Sequence, residues 1–281
     1  MPRRDEPPGP EVDPRFAAAA AALDEGDLER AATLARQGAQ AARKAGLRDL
    51  QADLLWLEGS ALTELGDPGA ALARLDQALA LAPDHLDAML ERGFALFELS
   101  RLDEARRQLE EVLALEPEEP WAHHQLGLLA ERRGAAAEAE RRFARARRLD
   151  PGSFPRPATV TRAEFERLVE AALEEIPERV RAYLANVPIS VDDLPSDDDL
   201  GGSPPLSPTI LGLFRGAPYG QKGSADPWSQ LPSSIVLFQR NLERAAASPE
   251  ELAEQIGVTL VHEVGHFLGL DEDELAARGL D

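Results

Sequence analysis

The chain has no cysteine among its 281 residues. Disulfides, thiolate nucleophiles and cysteine-based zinc sites are thereby excluded. Any metal site must draw on histidine, aspartate or glutamate, and there are only 5 histidines. Lysine is nearly missing, with Lys44 and Lys222 alone among 30 basic residues. Positive charge is also outnumbered: 51 acidic residues leave a formal net charge of −21. That balance argues against nucleic acid and against an anionic membrane surface as partners. No stretch reaches the roughly 18 consecutive apolar residues of a membrane-spanning helix. The early Arg3 and Arg4 are followed by no apolar segment of the secretory type, so a cytoplasmic location is the default expectation. Residues 1–13 are Pro-rich and charged and are expected to be disordered.

What the chain does have is repetition. Gly59, Gly93 and Gly127 are 34 residues apart, as are Ala71, Ala105 and Ala139, and as are Pro83, Pro117 and Pro151. Three markers with one period describe a unit of two antiparallel helices. The glycine in the first helix and the alanine in the second let the pair approach closely. The large residue four positions on (Leu75, Leu109, Phe143) fills the gap, and proline ends the second helix. Glu25-Gly26-Asp27-Leu28 looks like a further inter-helix turn, with Ala31 in the place of Ala71. Its offset is 40 rather than 34, which predicts a longer second helix in that unit.

The pattern resembles the tetratricopeptide repeat family, and residues 14–154 are read as such an array, an α-solenoid. The resemblance implies a concave surface lined by the first helix of each pair. Asp53, Trp56, Leu90, Phe94, Phe97, Trp121 and His124 are placed on that face, as a groove for a peptide or protein partner. The competing reading packs them against the next repeat or the second domain. His123 and His124 are adjacent and do not share a helix face, which disfavours a metal site there.

The period stops after Pro151. Residues 155–160, with Pro155-Arg156-Pro157, read as a linker, and residues 161–281 as a separate domain. Within it Thr161 to about Asn186 reads as amphipathic helix interrupted at Pro177. Strands are expected at Val187–Val191, Thr209–Phe214 and Ile235–Phe238. Loops are expected at Asp192–Pro208 and at Gly216–Pro232, the latter with Tyr219 and Trp228. The acids Asp192, Asp193, Asp197, Asp198 and Asp199 lack the spacing and closing Glu of a calcium-binding EF-hand, and read as a solvated loop. Ser248-Pro249-Glu250-Glu251 is a helix start, and that helix is expected to run from Pro249 to about Leu268.

This last helix carries the chemistry. His262-Glu263-Val264-Gly265-His266 puts two histidines one turn apart on one face, where they can share a metal ion. Glu263 is placed to take a proton from metal-bound water. The alternative is a histidine pair making core hydrogen bonds, or a site that has lost its metal. A catalytic zinc needs a third protein ligand. Gly269 can turn the chain back in the left-handed conformation, and the spacing from it then favours Glu272, with Asp271 and Asp273 as alternatives. The same acids equally suit the start of a short final helix.

Residues 161–281 resemble the small bacterial zincin-like metallopeptidases, with a minimal metzincin-like fold. The segments that carry the likeness are Leu173–Glu178, Asn186–Val191, Leu211–Gly216, Leu231-Pro232, Ile235–Phe238 and Thr259–Leu270. The resemblance implies a small α+β domain with a few-stranded sheet and an active-site helix. It also implies zinc held by His262, His266 and the acid at position 272, with Glu263 as general acid and base. Aspartate is expected at the third position where this chain has Glu272. The methionine turn of larger metzincins has no counterpart, since the only methionines are Met1 and Met89. The expected function is zinc-dependent peptide hydrolysis, with strand Ile235–Phe238 binding substrate along its edge and the repeats recruiting substrate or a partner. The alternative is a non-catalytic repeat scaffold with a structural or vestigial metal site.

Overall fold

The computed structural model describes residues 13–202, 205–216 and 233–277, without the side chains of Arg179 and Glu272. The chain divides into two compact units, Met1–Asp150 and Pro151–Asp281.

The first unit is entirely helical over its described residues. Helices α1 (Pro14–Asp24), α2 (Leu28–Ala45), α3 (Arg48–Glu64), α4 (Pro68–Leu81), α5 (Leu86–Glu98), α6 (Leu102–Leu115), α7 (Pro120–Arg132) and α8 (Ala136–Leu149) follow one another in antiparallel pairs. Asp27 and Asp67 cap α2 and α4 by accepting from Arg30 N and Ala70 N, and prolines open α4 and α7. Helix α2 has 18 residues against 14 in α4, the extension that the 40-residue offset predicts.

The spaced glycines work by contact. A Cβ at Gly59 would lie 2.7 Å from Leu75, one at Gly93 2.8 Å from Leu109, and one at Gly127 2.6 Å from the Phe143 ring. Each glycine is therefore the seat of the large residue of the second helix. Between repeats, the carboxylate of Glu58 is 1% exposed and lies 2.8 Å from Arg36 Nε and 3.0 Å from Arg74 Nε. One buried charge thus ties α2, α3 and α4, compensated as burial requires. Gly66 and Gly134 take left-handed φ of 77° and 73° at their turns, and Ser100 holds the equivalent position with φ 55°.

The second unit combines helices and a small sheet. Helix α9 (Arg162–Glu175) starts on a capping box between Thr161 and Glu164. Pro177 separates it from α10 (Glu178–Leu184). Strands β1 (Ile189–Asp192), β2 (Gly212–Arg215) and β3 (Ser234–Phe238) form a sheet of order β1-β3-β2. β1 is parallel to β3, with Ile189 opposite Ile235, and β2 is antiparallel to it, with Gly212 opposite Leu237. Helices α12 (Gln239–Arg244), α13 (Pro249–Leu268) and α14 (Glu272–Ala276) complete the unit.

Leu237, Leu242, Leu252 and Ile256 pack with Phe165 and Val169 of α9, while Ile235, Leu260, Val264 and Phe267 pack with Ile176, Leu184 and Val187. The core is thus built between α13 and β3, with α9 closing one end.

Three expectations need correction. The Asp192–Pro208 segment contains a helical turn, α11 (Asp197–Leu200), because Ser196 and Asp199 form a capping box that nucleates it. Residues 158–160 are not a free linker. Ala158 N donates to Ala246 O, and Val160 N to the buried carboxylate of Glu243, fastening the segment to α12 and the residues after it. β3 is the central strand, so both its edges are already paired. Of the expected loop with Tyr219 and Trp228, residues 217–232 lie outside the described residues, as do residues 1–12 of the expected disordered segment. Among the described residues no helix is long and apolar enough to cross a membrane.

Candidate metal centre

Helix α13 begins at Ser248, whose hydroxyl accepts from Glu251 N at 3.1 Å, with Pro249 in the first position. Leu252, Ile256, Leu260, Val264 and Phe267 recur at helical spacing and are buried, which presses one stripe of α13 into the core. That stripe sets the orientation of the whole motif. His262 and His266 fall at its margin and are partly buried, and Glu263 is only 6% exposed.

The two imidazoles converge. His262 Nε2 and His266 Nε2 are 3.0 Å apart, with ring centroids at 4.6 Å and planes at 84°. Gly269 caps the helix in the left-handed conformation, φ 95°, as its position suggested. The turn it makes brings Leu270 O to 3.2 Å from His266 Nδ1. A carbonyl only accepts, so in a neutral ring Nδ1 carries the proton and Nε2 keeps its lone pair. A backbone carbonyl behind a ligating histidine is the usual outer-shell support of a metal site.

The spacing of the two imidazoles fits zinc. Tetrahedral coordination with Zn–N of about 2.0–2.1 Å puts two ligand nitrogens about 3.3 Å apart. The observed 3.0 Å needs only a small opening to reach that span.

The segment that carries Asp271, Glu272 and Asp273 is held by packing. Gly265 leaves room for Leu275, which would otherwise collide with a Cβ there, and Leu275 is fully buried. Helix α14 is thereby locked against the motif helix, and its first residue is Glu272. The side chain of Glu272 lies outside the described residues. Asp271 accepts from Glu274 N at 2.9 Å and caps α14, so its carboxylate is already engaged, and Asp273 is exposed. Among the described residues no group of three or more His, Asp or Glu is gathered at one point.

Behind the motif helix stands β2. Phe214 meets Phe267 edge to face at 5.9 Å, and Gly212 lies directly against Thr259 and Glu263. The residue pattern places Gly212 in a strand and suggests no role for it. Only the contact across to α13 reveals one.

The surface expected on the repeats is uneven. Trp121 is 43% exposed and meets Phe94 at 6.3 Å, and Leu90 is half-buried. Trp56 is half-buried between Phe16 at 6.3 Å and His85 at 5.6 Å. His85 Nε2 lies 3.2 Å from Asp53. Phe97 is 1% exposed and belongs to the core, because its position on α5 turns it inward between helices.

Comparison with known proteins agrees with this division. Residues 184–280 match a family model described as a zincin-like metallopeptidase. Residues 62–120 and 96–164 match a tetratricopeptide repeat model. No curated protein matches the chain. Among solved structures, residues 41 to the end of MamA from Desulfovibrio magneticus RS-1 are 24% identical, covering 50% of this chain and 78% of that one with a TM-score of 0.42. YrrB, described as a tetratricopeptide protein with an unusual peptide-binding site, is 20% identical, covering 50% and 88% with a TM-score of 0.35. The chain therefore carries tetratricopeptide repeats over residues 62–164 and a zincin-like metallopeptidase domain over residues 184–280.

Proposed function

We propose that the second unit is a zinc-dependent peptidase with His262, His266 and Glu272 as metal ligands and Glu263 as proton carrier. The observation that carries this reading is the pair of Nε2 atoms 3.0 Å apart on one helix, with the nearly buried carboxylate of Glu263 between them in sequence. Zinc held there supplies acidity to water and Lewis acidity to the scissile carbonyl. Glu263 takes the proton from the attacking water and returns it to the leaving amine. The Leu270 carbonyl keeps the His266 ring oriented with its lone pair outward. Substrate pairing moves from β3 to β2, since β2 has no second partner strand among the described residues and lies against Glu263. The repeats serve as an interaction module that recruits substrate or partner, with Phe94 and Trp121 on the accessible face.

Glu263→Ala tests the assignment. Purified protein is expected to retain zinc while hydrolysis of a peptide library disappears. A wild type without zinc and a mutant equal to it in every assay would overturn the enzyme assignment.

A second reading takes the 3.0 Å contact as a plain imidazole–imidazole hydrogen bond in a non-catalytic scaffold. Metal analysis separates the two. Deletion of residues 1–154 tests recruitment: activity on the true substrate is expected to fall while activity on a short peptide persists.

A further inference from the structure

We infer that Gly212 is a positioning residue for Glu263: the missing side chain on β2 is the space that the carboxylate arm occupies. This rests on the assignment of Glu263 as proton carrier. A Cβ at Gly212 would lie 3.0 Å from both Cγ and Oε1 of Glu263 and 2.8 Å from Cγ2 of Thr259. Ordinary van der Waals contact begins at about 3.4 Å. Gly212 does not have a positive φ, so its backbone does not demand glycine. The demand is spatial, and two of the three nearest atoms belong to Glu263.

The surroundings leave Glu263 little freedom to move aside. It is nearly buried on a helix whose neighbouring residues, Leu260, Val264 and Phe267, are locked into the core. The strand cannot retreat either. Gly212 is in register with Leu237 of the central strand, and Phe214 two residues on is seated on Phe267. With both walls fixed, a methyl group at 212 must be absorbed by the two side chains it meets, the methyl of Thr259 and the arm of Glu263. The carboxylate is then displaced by a few tenths of an ångström from its resting place. A misplacement of about 1 Å can cost on the order of a hundredfold in rate, so a shift of a few tenths costs a several-fold part of it. Gly212 thus acts through Glu263, by setting where its oxygen rests.

The test is Gly212→Ala in the full-length, zinc-loaded protein, compared with Glu263→Ala, Thr259→Ser and the double variants. On a generic peptide substrate, Gly212→Ala is expected to lower kcat about three- to tenfold with KM unchanged. Zinc content, measured separately, is expected to stay at the wild-type value. Thr259→Ser removes the methyl that the new Cβ meets first. In the double variant with Gly212→Ala it is expected to recover only part of the lost melting temperature and none of the lost kcat. In the Glu263→Ala background, where no rate remains to compare, Gly212→Ala is expected to lower the melting temperature less than it does in wild type. The inference is overturned if Gly212→Ala keeps its kcat, if Thr259→Ser restores rate and stability together, or if the melting temperatures of positions 212 and 263 are additive. A wild type that hydrolyses nothing sinks the peptidase assignment alone. The thermal cycle between 212 and 263 still reads whether the carboxylate fills the space.

Discussion

Glu91 offers a quantitative check on the repeat array. It sits on α5, half-buried, and its carboxyl is pushed from 4.5 up to about 7. Burial is the main cause, followed by the like charge of Glu64; a hydrogen bond from Ser60 opposes them, and Asp87 adds a smaller push. The folded state therefore holds the proton more tightly than the unfolded chain. Its contribution favours folding at low pH and is lost as pH rises from about 4.5 to about 7, then stays level. Each pH unit of that interval is worth about 1.4 kcal/mol, so the full burden approaches about 3 kcal/mol. Water at the partly open site screens some of it, which leaves about 1–3 kcal/mol. Glu91→Gln removes the charge at nearly constant shape. At pH 8 the variant is expected to melt roughly 2–12 °C above wild type, and at pH 4 the two are expected to coincide. Differential scanning calorimetry of the full chain at both pH values reads the difference. A gap of equal size at the two pH values, or none at pH 8, would refute the reasoning.

Other consequences follow from backbone and packing. Ser100→Gly relieves a left-handed serine and is expected to stabilise the array by about 1 kcal/mol, read by urea unfolding. Gly127→Ala is expected to destabilise by about 1–3 kcal/mol in the same assay, since the new methyl meets the Phe143 ring. Gly257→Ala on α13, with nothing within 4 Å, is expected to gain up to about 1 kcal/mol. A fragment of residues 184–281 spans the zincin-like match but lacks α9. Without Phe165 and Val169 over Leu242 and Ile256 it is expected to show no cooperative melting transition, whereas the full chain shows one.

Much of the design is legible in the residues because it is local. A 34-residue period, a proline after each second helix and an Asp before the start of α2 and α4 are each governed by a few neighbouring backbone groups. The spacing of His262 and His266 puts them on one helix face by geometry alone, and Gly269 marks the reversal that follows them. The placing of those imidazoles one turn apart needed nothing beyond the helix itself, while the His266 ring is held by Leu270 O just past its end.

What stayed hidden depends on which distant segments meet. Ile235–Phe238 reads as a strand from composition, yet whether it is central or at an edge is decided by what pairs on either side. Phe97 is read as a groove residue because it lies on the first helix of its pair, but it packs into the core of the array. Residues 158–160 look like a linker because nothing near them in sequence reveals the carboxylate of Glu243, 83 positions from Val160. The residue types by themselves determined two helical patterns and a pair of histidines on one helix turn. Tertiary structure alone decided which glycine stands under Glu263, because a missing side chain has meaning only against the atoms that fill its place.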